Sequence, residues 1–228
     1  MSVNACVLGK ETGTKSKAFA PLVVAGVLAT ATVAAAAVIT GTPGNDVLRG
    51  TEQADRISAF AGDDAVYARG GADDVRAGAG NDGVRGADGS DLAYGGVGAD
   101  VIAGGNGNGR LYGGSDSDDV DGGNGNDRAA GNRGSDVVAG GNGNDSLFGG
   151  WGADRVFGGN GNDELHALAP DGDPDLLNCG SGNDKAWVLR SERSRTQLVG
   201  CERVFVVDAP TPDQDEGENA DADTEADS

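Results

Sequence analysis

Asp46, Asp55, Asp64, Asp73, Asp82, Asp91, Asp100, Asp118, Asp127, Asp136, Asp145, Asp154 and Asp163 stand nine residues apart, broken once by Gly109. Each closes a Gly-Gly-x-Gly-x-Asp turn or a variant of it, as in GGNGND at 122–127, 140–145 and 158–163. Such turns present hard oxygen donors, from the carboxylate and from exposed backbone carbonyls, and that chemistry suits a hard divalent cation. One turn alone would bind weakly. A series in register offers the same site type again at every level of a stack.

A nine-residue unit is too short to fold alone, so each copy must be part of a rung in a solenoid. Read from Gly41, fourteen copies run to His166 without insertion, and position eight is apolar in all of them. The first six positions are rich in Gly, Asn and Asp and predict a turn. The remaining x-apolar-x alternates as a short strand, one side chain inward and its neighbours outward. GGNGN recurs at 104, 122, 140 and 158, whereas the turns at 95, 113, 131 and 149 end in Ala-Asp or Ser-Asp. Alternate copies therefore match better than neighbours. That predicts two nonapeptides per coil, about eight coils in all, with odd and even turns on opposite flanks. Ala167 to Ala169 shift the register before two further copies, at 170–178 and 179–187, with Asp175 and Asp184 at position six.

The totals narrow the class. The chain has 228 residues, 42 of them glycine, and a formal net charge of −20. Glycine without a triplet period excludes collagen, and the acidic excess disfavours nucleic acid. Residues 18–39 are apolar and follow Lys10, Lys15 and Lys17, which predicts an export signal over 1–37 and an extracellular or cell-surface protein. A retained membrane anchor is the alternative, since the run is about long enough to span. Cys6 would leave with the signal, and Cys179 and Cys201 then form the simplest disulfide of an exported chain. The nonapeptide array is assigned to 38–187 and a C-terminal cap to 188–207. From Asp208 to Ser228 the chain carries nine acids and no base, which predicts a disordered acidic tail.

These residues resemble the RTX, or haemolysin-type, calcium-binding nonapeptide family. The resemblance implies an all-β fold, a right-handed parallel β-roll, with several calcium ions held between stacked turns eighteen residues apart. Carried onto this sequence, one site joins the carbonyls of Gly123 and Gly125 and the Asp127 carboxylate to the carbonyls of Gly140 and Asn142 and the Asp145 carboxylate. The next uses Gly141, Gly143 and Asp145 with Gly158, Asn160 and Asp163, and the opposite flank runs Asp100, Asp118, Asp136, Asp154. Earlier candidates are Asp46, Asp64 and Asp82 on that flank, and Asp73 and Asp91 on the other. Gly109 deletes a carboxylate, and Gln53, Ala59, Phe60 and Arg69 replace consensus glycines, so the N-terminal turns are expected to bind poorly. Stacked carboxylates ~4.8 Å apart repel by roughly 3 kcal/mol at an effective dielectric of 20. The array is therefore expected to fold on calcium.

Catalytic motifs are missing. There is one histidine, His166, at an outward repeat position, with no HExxH, nucleophile elbow or P-loop, and no enzyme activity is expected. Asn106, Asn124, Asn142 and Asn160 should form a polar ladder, with Asn108, Asn126, Asn144 and Asn162 beside it. That ladder supports an alternative reading, a calcium-stiffened adhesin or matrix protein that binds glycan through one face. Otherwise a monomer is expected.

Overall fold

The computed structural model describes residues 35–208, which form nineteen β-strands and no helix. Most of the expected export segment, and the acidic stretch from 209 onward, lie outside the described residues. Among the described residues no helix is long and apolar enough to cross a membrane.

The strands alternate between two parallel sheets, one of ten strands and one of nine, so each coil gives one strand to each sheet. Within a sheet the register advances by eighteen residues: Val120 pairs with Val138, which pairs with Val156. Two nonapeptides per coil is thus the observed repeat. The protein is a parallel β-roll of about nine turns, one more than the expected eight. The extra turn comes from Gln197–Val199 and Arg203–Val207, which continue the two sheets.

Strands are longer than the x-apolar-x segments expected from sequence. Most run six residues, from position seven through position three of the next copy, as in Arg128–Arg133. The turn shrinks to positions four to six. Glycine makes this possible, because position two has positive φ (Gly141 at 99°) while the chain stays in the ladder, with position one left out of the pairing.

Position eight fills the interior. Ile57, Val66, Val75, Leu111, Val120, Leu147 and their counterparts are almost fully buried, and position one adds Ala59, Ala68 and Ala77. The resulting core is one narrow column of Val, Ile, Leu and Ala, with Cys179 near its C-terminal end. Cys179 and Cys201 form the expected disulfide, with Cα atoms 5.1 Å apart, tying the last coil to the one before it.

Coils stack so closely that a carbonyl of one lies against the α-carbon of the next. A Cβ on Gly143 would overlap the Gly125 carbonyl, and the φ there is +143°. Ala87 occupies a comparable positive-φ position, at 78°, with a side chain present. Gly143→Ala should therefore destabilise the roll by more than ~1 kcal/mol. Ala87→Gly should stabilise it by about 0.5–1 kcal/mol, the αL strain outweighing the added unfolded-chain entropy. Urea midpoints measure both.

Candidate metal centre

Position-six aspartates from Asp64 to Asp163 are buried, with at most 4 % of their surface exposed. They face inward because strand alternation from position eight carries back to position six. Each uses one oxygen in the same way. Asp118 Oδ1 accepts the Asp100 N–H at 2.8 Å, Asp145 Oδ1 that of Asp127 at 2.8 Å, and Asp163 Oδ1 that of Asp145 at 2.9 Å. Two rows result. One runs Asp46, Asp64, Asp82, Asp100, Asp118, Asp136, Asp154; the other contains Asp55, Asp73, Asp91 and, beyond Gly109, Asp127, Asp145, Asp163.

The second oxygen has no such partner. Oδ2 of Asp64, Asp73, Asp82, Asp91, Asp100, Asp118, Asp127, Asp136, Asp145, Asp154, Asp163 and Asp184 is buried without a hydrogen-bond donor. A buried, unpaired carboxylate oxygen is costly unless a proton or a cation meets it. The space beside it is shaped by glycine: Asp127 Oδ2 and the Gly140 carbonyl both lie 2.7 Å from where a Gly122 side chain would begin. Ala59 supplies the same carbonyl at the first turn, 2.6 Å from the corresponding point on Gly41, with Asp46 Oδ2 at 2.9 Å. A side chain at position one of these turns would fill a cradle of two oxygens.

The other expected donors are less uniform. The carbonyl oxygens of Gly123, Gly125, Gly141 and Gly143 lie 1.5–2.2 Å from where side chains on Gly141, Gly143, Gly159 and Gly161 of the following coil would begin. Those of Asn142 and Asn160 already accept the Gly125 and Gly143 N–H groups at 2.8 Å, leaving one lone pair each. Gly158 lies between Asp163 Oδ2 and the Cys179 carbonyl. Among the described residues no three His, Cys, Asp or Glu side chains converge as a metal cluster. A cation here would draw on carboxylates and backbone carbonyls, an oxygen set that fits calcium.

Gly109 behaves as its chemistry dictates. Its N–H still donates to Asp127 Oδ1, at 2.6 Å, but it offers no carboxylate to Asp91. A Cβ there would meet only ordinary contacts, the nearest at 3.4 Å, so the turn keeps room for the missing group. The three-residue insertion is absorbed within one coil: Asp154 donates to Asp175 Oδ1 at 3.0 Å and Asp163 to Asp184 Oδ1 at 2.8 Å. One member escaped sequence reasoning. The Asp184 N–H donates to Glu202 Oε2 at 2.8 Å, eighteen residues on. The signal was there, since QLVGCERVF at 197–205 keeps Gly at position four, an acid at six and Val at eight.

Burial dominates the titration of these rows. It pushes Asp118 and Asp154 up to about 8, and Asp100 and Asp145 up to about 7. The N–H from the preceding coil opposes the rise, and the like charges along the row add to it. Asp73, Asp82 and Asp136 rise to about 6 for the same first cause.

Two rows of inward carboxylates on a glycine-cradled roll define a protein that gathers hard cations along its length. The family model described as the RTX calcium-binding nonapeptide repeat (4 copies) matches residues 40–75, 61–93, 76–111, 94–129 and 130–165. Together the matches span more than half of the chain, which belongs to this family and is a repeat protein that binds several calcium ions. No curated protein matches the sequence.

A pH dependence follows. The folded pKa values lie above the ordinary carboxylate value, so protonation favours the metal-free roll. That stability is complete below about pH 4 and is lost as pH rises through 6 to 8. In chelator, far-UV circular dichroism should show strand signal increasing as pH is lowered from 8 to 5. Loss of strand on acidification over that range would contradict the assignment.

Proposed function

We propose that calcium sits between successive turns on each flank, that the roll folds on binding it, and that the chain works outside the cell. The observation that carries this reading is the row of buried Oδ2 atoms from Asp64 to Asp163, repeated coil after coil and unpaired. Calcium bound there supplies the positive charge that the stacked carboxylates require, and ~3 kcal/mol of repulsion between neighbours becomes attraction to a shared ion. The clearest site is Asp127 and Asp145 with the carbonyls of Gly123, Gly125, Gly140 and Asn142. The next is Asp145 and Asp163 with Gly141, Gly143, Gly158 and Asn160. Asp100, Asp118, Asp136 and Asp154 serve the other flank, and Asp46, Asp64, Asp82, Asp73 and Asp91 hold calcium more weakly, next to non-consensus turns. Because each occupied turn orders the next, binding is cooperative, and binding energy becomes folding energy. The apolar, Lys-led segment and the disulfide support export into surroundings where calcium is plentiful.

A second reading has its own observation. Asn124, Asn142 and Asn160 each donate Nδ2 to the Oδ1 of the Asn one coil earlier at 2.8 Å, and Ser181 extends the row. This exposed, regular ladder suits an ordered ligand, so the roll also serves as a stiffened surface or matrix element. Retention on cell-wall or glycan material, lost when Asn142 and Asn160 are replaced by Lys, would support it.

Calcium titration followed by far-UV circular dichroism, with magnesium as control, tests the main reading. A steep gain of strand with calcium alone is expected; full strand in chelator, unchanged by calcium, would refute it. Asp145→Asn separates the two oxygens. Asn keeps an Oδ1 acceptor for the Asp127 N–H but removes the charge, so strand content in chelator should rise while the calcium midpoint shifts several-fold upward. A carboxylate that served structure alone would show the first change without the second.

A further inference from the structure

The Asn ladder carries a chemistry that calcium binding does not use. Asn106, Asn108, Asn124, Asn142 and Asn160 are each followed directly by glycine. Asparagine is thermolabile because the backbone nitrogen of the next residue can attack its side-chain Cγ and close a succinimide ring. Glycine, which lacks a Cβ, hinders that approach least. All five asparagines are exposed to water. Geometry, not access, then decides whether they react.

In the roll both reacting groups are held. Asn142 Nδ2 donates to Asn124 Oδ1 at 2.8 Å, and Asn142 Oδ1 accepts from Asn160 Nδ2 at 2.8 Å. Asn106 and Asn124 are tied at both ends in the same way, starting from Asp88, and Ser181 donates to Asn160 at the far end. Asn108 Oδ1 accepts the Asn126 N–H at 2.8 Å. The attacking nitrogens are occupied as well. The N–H groups of Gly107, Gly125, Gly143 and Gly161 donate to carbonyls of the following coil at 2.7–2.9 Å, and that of Gly109 donates to Asp127 Oδ1 at 2.6 Å. To reach its own glycine, a ladder side chain must give up its ladder bonds while the glycine gives up its bond to the next coil. Asn124 also pairs in the sheet with Asn106 and Asn142, so turning one residue disturbs both neighbours.

We propose that these Asn-Gly pairs are sites of spontaneous deamidation, closed in the folded roll and open in the unfolded chain, which limit how long a chain can stay unfolded and still fold. In the open chain the glycine N–H proton passes to water, the nitrogen bonds to Cγ, and the Cγ–Nδ2 bond breaks with release of ammonia. Water then opens the succinimide at either carbonyl and leaves aspartate or isoaspartate. Neither product fits the stack. An aspartate at position 142 sets an acceptor against Asn124 Oδ1, where a donor stood. An isoaspartate there routes the main chain through Cβ and Cγ and lengthens it just before Gly143. At that point the Gly125 carbonyl already lies 1.5 Å from where a Gly143 side chain would begin. A stack this close has no room for an added methylene. The chemistry is independent of which residues hold calcium.

Peptide mapping by mass spectrometry on the full chain, aged at mildly alkaline pH, tests this. One pool is kept folded in calcium and the other unfolded in guanidinium chloride with chelator, each state checked by far-UV circular dichroism. In the unfolded pool the five Asn-Gly pairs should convert ahead of Asn126, Asn144 and Asn162, which precede aspartate. In the folded pool they should convert more than ~10-fold more slowly, since the reaction waits on local opening. When the aged unfolded pool is returned to calcium, isoaspartate at Asn124 and Asn142 should collect in the fraction that stays unfolded. Equal rates in the two pools, or no lead of the Asn-Gly pairs in the unfolded one, overturn the proposal. So does isoaspartate spread evenly between the refolded and unfolded fractions. Because guanidinium does the unfolding, a roll that keeps its strands in chelator would refute calcium-dependent folding and leave this comparison intact.

Discussion

Nearly every coil of this roll places two carboxylates inside it, and the rest of the structure answers to that constraint. One oxygen of each is spent on register: it accepts the backbone N–H of its counterpart one coil earlier, so the row is a continuous column of charge-assisted bonds. From Asp64 to Asp163 the other oxygen is left with no donor. A single side chain therefore supplies the geometry of the stack and a buried oxygen that a cation can meet. Glycine follows as a consequence. Position one must be small to leave room beside Oδ2, and positions two and four must lie flat against the carbonyls of the neighbouring coil.

Much of this was legible in the residues. The nine-residue period, its eighteen-residue echo and the unbroken apolar position eight are translational facts, and a solenoid turns translation in sequence into translation in space. The paired cysteines were likewise readable from compartment logic, and they meet. What escaped depends on contacts between coils. The N–H to Oδ1 bond joins residues whose identities give no hint of who donates, and the strand through Gly-Gly-x looks like turn because glycine is a poor strand residue in isolation. Glu202 was hidden by a motif reduced to one glycine and one acid. His166 stood out as a lone titratable group only because its ring neighbours lie eighteen and twenty-one residues away.

Irregularities are confined for the same reason. Each coil touches only its neighbours, so the three extra residues at 167–169 change one register step in each sheet, from eighteen to twenty-one, and the rows resume beyond them. Gly109 costs one carboxylate and leaves the column below it intact through its own N–H. Among the described residues five non-glycine residues sit at positive φ, including Phe60, Arg69 and Ala87 in the N-terminal half of the array. Strain of this kind is tolerable where the coils on either side hold the turn in place.

The C-terminal end isolates the cause of the perturbed acids. Position eight is almost fully buried along the array, yet Val204, its last representative among the described residues, is 40 % exposed, with no further described coil stacked on it. Glu202 stands at position six of that same copy and accepts the Asp184 N–H much as Asp118 accepts that of Asp100. The bond is alike, but the outcome is opposite. Glu202 is exposed and its pKa is lowered, chiefly by that hydrogen bond, whereas Asp118 is raised to about 8 because burial outweighs the same bond. Hydrogen bonding alone would leave these acids comfortably ionised. The next coil, by sealing each carboxylate from water, is what makes the metal-free interior so unfavourable for charge.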